Sequence, residues 1–301
     1  MRLATRAAAL PAELDVNRFV LEHGRLPFLS DPIPPWHYRG WLLFQVQLAD
    51  GHPEAPGRWS HYLRTFEAGH LLDEPIPRIN FSSTADPAGL KMVEKCVELL
   101  SYRDSPWSAF GLFVAWLAWG MAVSKQRPQI EEATSEALYR TFNFEPLILH
   151  PYDYLGEFLA GHQTKGWNPN AFFPTPHAVC ELMTQISFGE ITHNVAKRQS
   201  YGLFHTGNSS IEGERDPRLR TVNEPAVGTG RLLLHASNYS YRLSGMDKDK
   251  LVLDICLCNG AFYAPWLSFP FPKSILKRAS GDSESTSSVG TSPAQPCPRA
   301  A

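Results

Sequence analysis

Apolar residues recur at helical spacing near 88–101, 107–124 and 128–142, the i, i+3, i+4 recurrence that lets a helix bury one face. Proline-rich connections run from Ser30 to Trp36, Glu54 to Gly57 and Asp73 to Pro77, where a helix cannot continue. The pattern predicts a mainly helical N-terminal region over residues 1–150. Within it, residues 105–124 carry no charge, which meets the length of a membrane span. Pro106, Gly111 and Gly120 fall inside that run, no second span accompanies it, and Phe110, Phe113, Val114, Leu117 and Met121 share one face. A buried core helix is therefore expected, with no membrane partner.

From Tyr152 onward the pattern changes. Leu155, Phe158 and Leu159 occupy one helix face with Gly161 as a stop, and Val179, Leu182, Met183 and Ile186 form an amphipathic stripe behind Thr175 as cap and Pro176 in the first turn. Val222 to Gly230 reads as strand and tight turn, Leu232 to Leu234 as the start of a helix, and Tyr241 to Met246 as a second strand ending at Asp247. A further helix is expected from near Lys250, with Cys256 and Cys258 as buried thiols. The alternation predicts an α/β region over 151–272. Residues 273–301 are expected to form a disordered tail, since the chain from Ala279 onward has almost no apolar side chains to offset ordering entropy.

Composition narrows the function classes. The 301 residues are 43% apolar, enough for a substantial core, and 28 basic side chains face 30 acidic ones. No overall basic footprint exists, so any nucleic-acid contact must rest on a local patch. The short apolar run at the start, broken by Pro11 and Glu13, is too weak for a secretory signal and suggests a mobile N-terminus. Five scattered cysteines fit reduced thiols and a cytoplasmic location better than a disulfide framework.

The candidate chemistry centres on Glu224-Pro225-Ala226-Val227-Gly228-Thr229-Gly230. Glycines in a strand-to-helix turn let a backbone approach a ligand closely, and the following helix start offers amide groups; a glycine-rich surface loop would read the same way. Asp247 lies seventeen residues beyond Gly230, near the spacing of an acid that accepts from ribose hydroxyls. Asp249 competes for that role, and both acids could equally belong to a solvated loop. Phe172 and Phe173, ahead of Thr175 and Pro176, could wall a pocket or staple the helix to the core. His235, Cys256 and Cys258 are read as core residues, and no metal site is expected.

Taken in order, Tyr152-Asp153-Tyr154-Leu155-Gly156, Phe172-Phe173-Pro174-Thr175-Pro176, Glu224 to Gly230 and Gly245-Met246-Asp247 resemble the adenine N-6 DNA methylase family of restriction-modification systems and phages. The resemblance spans residues 152–267 and concerns the cofactor-binding part only. It implies a partial Rossmann-like methyltransferase domain with S-adenosyl-L-methionine as cofactor and adenine in DNA as methyl acceptor. By the same resemblance Phe173, Thr175 and Pro176 would line the pocket. Glu224, Pro225, Gly228, Thr229 and Gly230 would hold the methionine end, and Asp247 the ribose.

The chain departs from the family pattern in three places. Pro174 separates Phe173 from Thr175, and the stretch from Gly189 to Arg218 is long and polar, which predicts an inserted loop. The family's Asn/Asp/Ser-Pro-Pro-aromatic tetrapeptide, which polarises the target amine and stacks on the flipped base, has no counterpart after Asp247. Tyr263-Ala264-Pro265-Trp266 lacks the polar group, and Asp31-Pro32-Ile33-Pro34-Pro35-Trp36 has Ile33 where the acceptor belongs and reads as a proline-rich turn. The catalytic residues are thus unassigned. Either a partner subunit completes the sheet or the chain is a degenerate, inactive member of the family, and the alternative function is a non-catalytic cofactor- or partner-binding module of a modification system.

Overall fold

The computed structural model describes residues 14–101, 106–162, 172–189 and 216–276. The expected mobile N-terminus, most of the Gly189–Arg218 insertion and nearly all of the tail lie outside these residues.

The first half is built of helices α1 (Val16–His23), α2 (Trp41–Ala49), α3 (Arg58–Ala68), α4 (Pro87–Glu98), α5 (Pro106–Gly120), α6 (Glu132–Thr141) and α7 (Glu145–Leu149). Their ends follow local chemistry. Asp15 caps α1 by accepting from the Asn17 amide, and Asp86 caps α4 by accepting from the Gly89 amide with Pro87 in the first turn. The Pro-Pro-Trp segment forms a single 3-10 turn, Pro35–His37. It buries Trp36, whose indole N–H donates to Glu132 at 2.8 Å.

Then follow α8 (Tyr154–Gly161), α9 (His177–Phe188), β1 (Thr221–Glu224), α10 (Arg231–Ala236), β2 (Arg242–Gly245), α11 (Lys250–Tyr263) and α12 (Pro265–Ser268). The two strands pair in parallel, Thr221 opposite Arg242 through Glu224 opposite Gly245, with α10 as the crossover. The described part is thus a mixed fold, mostly helical, with a small parallel sheet.

The uncharged helix α5 sits where its composition demands. Phe110, Phe113, Val114, Leu117 and Met121 are all buried, and α5 packs against α2, α4 and the apolar helix α11. With helices on several sides, an all-round apolar surface is satisfied inside the protein. Among the described residues no helix is long and apolar enough to cross a membrane.

Helix α9 corrects two expectations. It begins at His177 with Pro176 in the cap position, so Thr175 does not cap it. The stripe Val179, Leu182, Met183 and Ile186 faces outward, 43%, 50%, 46% and 55% exposed, while His177, Cys180 and Thr184 are buried. Both sets have helical spacing. The short side chains of Cys180 and Thr184 face inward together with His177, where α9 packs closely on α10, and the Thr184 hydroxyl is satisfied by the carbonyls of Cys180 and Glu181.

Candidate functional site

The turn after β1 is shaped by its glycines. Gly228 and Gly230 adopt φ of +53° and +91°, a region that L side chains rarely enter. Behind the turn, a Cβ on Gly230 would lie 2.7 Å from the Cys256 sulfur. Beside it the ladder continues past the strands, as the Met246 amide donates to the Glu224 carbonyl and the Val227 amide to the Met246 carbonyl. Val227 thereby packs on the end of β2, where a Cβ on Gly245 would meet its side chain at 2.7 Å. The Gly-Met-Asp block therefore has a steric basis as well as a chemical one.

A cavity of about 560 Å³ opens over this turn, at the C-terminal ends of both strands. Such a volume suits a nucleoside-sized ligand, and the ends of parallel strands are where open α/β sheets hold ligands. Of the residues singled out from sequence, Phe173, Thr175, Glu224, Pro225, Gly228, Thr229 and Asp247 line it. Pro176 and Gly230 do not: Pro176 is taken up by the start of α9, and Gly230 packs back against Cys256. Phe172 and Asp249, the alternatives weighed beside Phe173 and Asp247, line it too, and Met183 and Lys248 join the lining without having been singled out for it.

The acids at the end of β2 separate into different roles. The Asp247 carboxylate accepts from the Gly228 amide at 2.9 Å and from the Asp249 amide at 3.1 Å, tying the turn to the second strand. Asp249 caps α11, accepting from the Leu251 amide at 2.9 Å. At the end of β1, Glu224 accepts from the Ala226 amide at 3.2 Å.

The amide supply at the turn is smaller than the sequence suggests. The Gly228 amide goes to Asp247 and the Gly230 amide to the Val227 carbonyl, and α10 has only six residues. Its macrodipole is correspondingly short.

Beneath the turn lies a buried polar cluster. Arg231 donates to Asp153 at 2.8 Å and to Glu157 at 3.1 Å. Burial works against its charge, but Asp153, Tyr152 and Glu157 outweigh burial and raise its pKa. Nearby, His177 and His235 share a hydrogen bond of 3.0 Å between their rings, packed against Phe81. Burial pushes His177 down to about 4 and His235 down to about 3, so both are neutral at pH 7.

Cys256 and Cys258 are buried, and burial raises their thiol pKa values, to about 12 for Cys256. Among the described residues no cluster of three or more His, Cys, Asp or Glu could hold a metal ion. Tyr263 and Trp266 are core residues as well: the Tyr263 hydroxyl donates to the carbonyls of Leu147 and Tyr152, and the Trp266 indole to that of Ser240. Neither lines the cavity.

Comparison of the chain with protein-family models, curated proteins and solved structures gives no match.

Proposed function

We propose that the cavity binds S-adenosyl-L-methionine and that the chain is a DNA adenine N-6 methyltransferase-like protein, its β1–α10–β2 unit being the opening of a Rossmann-like sheet. One observation carries the reading. Three segments far apart in sequence, at 172–175, 224–229 and 247, meet at one cavity, and these are the blocks that resemble the family.

The charge of the lining favours the same ligand. Glu224, Asp247 and Asp249 face Lys248 and Arg231, and the Arg231 guanidinium is already held by Asp153 and Glu157. Such a cavity suits a cationic sulfonium better than a pyrophosphate, which calls for clustered donors. Phe172 and Phe173 line the cavity, and aromatic side chains suit a purine or a cationic group. The methyl group would pass from sulfur to the adenine amine, with alignment as the main contribution of the protein.

The alternative is a module that binds the cofactor without transferring its methyl group. It draws support from the Tyr263–Trp266 segment, which is committed to the core and supplies no acceptor at the cavity. Incubation with methyl-labelled S-adenosylmethionine and mixed-sequence DNA separates the two readings. Binding with label on adenine is the expected result for the enzyme, and binding without transfer supports the module. Absence of binding, with Asp247→Ala matching the parent protein in S-adenosylmethionine titrations, would sink both.

A further inference from the structure

We propose that Asp153 is a positioning residue for this cavity, a buried carboxylate that holds its glycine turn and its Phe-Pro-Thr wall in register. The inference rests on the S-adenosylmethionine reading. Asp153 is fully buried and does not line the cavity. Locally it is a helix cap, accepting from the Gly156 amide at 2.8 Å. Three further donors converge on it from other elements: the Thr229 hydroxyl at 2.5 Å, the Arg231 Nε at 2.8 Å and the Asn259 amide nitrogen at 2.8 Å.

These bonds reach both sides of the cavity. Thr229 turns its hydroxyl inward to Asp153, and its carbonyl accepts a second bond from the Asn259 side chain at 3.0 Å. The middle of the glycine turn is therefore clamped from below. Arg231, held by the same carboxylate, extends Nη1 to the Thr175 carbonyl at 3.4 Å. The wall at 172–175 and the turn at 228–230 are remote in sequence, and Asp153 links them through one hydrogen-bond relay.

The chemistry requires an acceptor at both oxygens. Gly156 and Asn259 donate to Oδ1, while Thr229 and Arg231 donate to Oδ2. An asparagine has the same shape but must present its NH₂ group to one of these donor pairs. The neighbouring glycine is equally constrained, because a Cβ on Gly156 would fall 2.0 Å from the Asp153 Oδ2. The Asp-x-x-Gly of the 152–156 block thus reads as one device, a buried acceptor with a glycine that leaves it room.

The test is calorimetric titration of the full chain with S-adenosylmethionine, at a temperature where circular dichroism shows each variant folded. Asp153→Asn is expected to bind at least about tenfold more weakly, as is Thr229→Val, which keeps the shape of threonine and removes the hydroxyl; this is the scale of one charge-assisted hydrogen bond. Thr229→Ser restores the hydroxyl and should recover most of that loss. Asp153→Asn combined with Thr229→Val should bind no worse than the weaker single variant, because both remove the same link.

A purely structural role predicts a lower melting temperature with unchanged affinity in the folded protein. Tight binding by folded Asp153→Asn overturns the proposal and leaves the cofactor reading standing. Should Asp153→Asn not fold, equal affinity of Thr229→Val and Thr229→Ser overturns it instead. If the parent protein itself does not bind, the cofactor reading falls and takes the proposal with it.

Discussion

Replacing Gly230 by alanine perturbs the turn in two separable ways. At φ +91° and ψ 9° an L residue lies at the edge of the left-handed region, which costs about 1–2 kcal/mol. Its Cβ would also stand 2.7 Å from the Cys256 sulfur, and relieving such an overlap in a packed interior costs about 1–3 kcal/mol. The variant should therefore lose about 2–5 kcal/mol, read as a shift in urea midpoint at constant slope. Cys256→Ala removes the sulfur and leaves the Cys256 Cβ and Cα at 3.5 and 3.6 Å from the new methyl, ordinary contact distances. In that background Gly230→Ala should cost only the backbone part, about 1–2 kcal/mol, so the two changes should couple by about 1–3 kcal/mol. Additive effects, or a loss below about 1 kcal/mol for Gly230→Ala alone, would refute the account of the turn.

Stability should also depend on pH through the buried imidazoles. His177 and His235 have folded-state pKa values depressed by burial to about 4 and about 3. Their contribution is complete above the unfolded value near 6.5 and is lost as pH falls toward the folded values, about 2 kcal/mol each between pH 7 and 5. His61, also depressed by burial, acts in the same direction. His235→Gln should flatten urea-derived stability against pH by about 2 kcal/mol over that window, and an unchanged slope would exclude the pair as its source. Asp249→Ala should cost about 1 kcal/mol in urea midpoint through the lost α11 cap; a neutral result would remove the cap assignment. Arg58→Ala should cost about 3–5 kcal/mol by the same measurement, since it leaves a cavity and buried acceptors without a donor. A loss under about 1 kcal/mol would show those acceptors to be satisfied by other means.

Local patterns in the sequence carried much of the fold. The α5 stripe, the strand and turn around Gly228 and the start of α11 at Lys250 depend on neighbours within a few residues, and the structure shows each of them. Helix α9 itself is legible but its inward face is not, because His177, Cys180 and Thr184 repeat with the same period as the apolar stripe. Hydrophobicity picks one phase, while the other packs on α10 through the short Cys180 and Thr184 side chains and the His177–His235 hydrogen bond. The cavity lining was legible as separate blocks, since glycines and acids at strand ends are local features. The Asp153 cluster was not, because its donors lie at positions 156, 229, 231 and 259. A cap aspartate looks the same in sequence whether one amide or four donors converge on it.

Both ends of the crossover helix α10 are fixed by buried arginine networks, and the two networks do different work. At the turn end Arg231 and Asp153 hold the cavity walls. At the far end Arg58 from α3 donates to the Ser237 hydroxyl, the Asn238 side chain and the carbonyls of Pro77 and Tyr263, and stacks 5.1 Å over Trp266. No carboxylate is among those partners, and burial lowers the Arg58 pKa to about 9, still well above neutral pH. The guanidinium is thus a charged bolt between the helical half and the sheet unit, with carbonyl dipoles and a ring face as its direct partners and the Asp50 carboxylate favouring its charge only through space. Since none of its partners lines the cavity, Arg58 and Asp153 form a matched pair of probes: loss at Arg58 should fall on stability, loss at Asp153 on affinity. If folded Arg58→Ala weakened S-adenosylmethionine binding as much as Asp153→Asn, α10 would move as one rigid piece, and the pinning of its two ends could not be treated as independent.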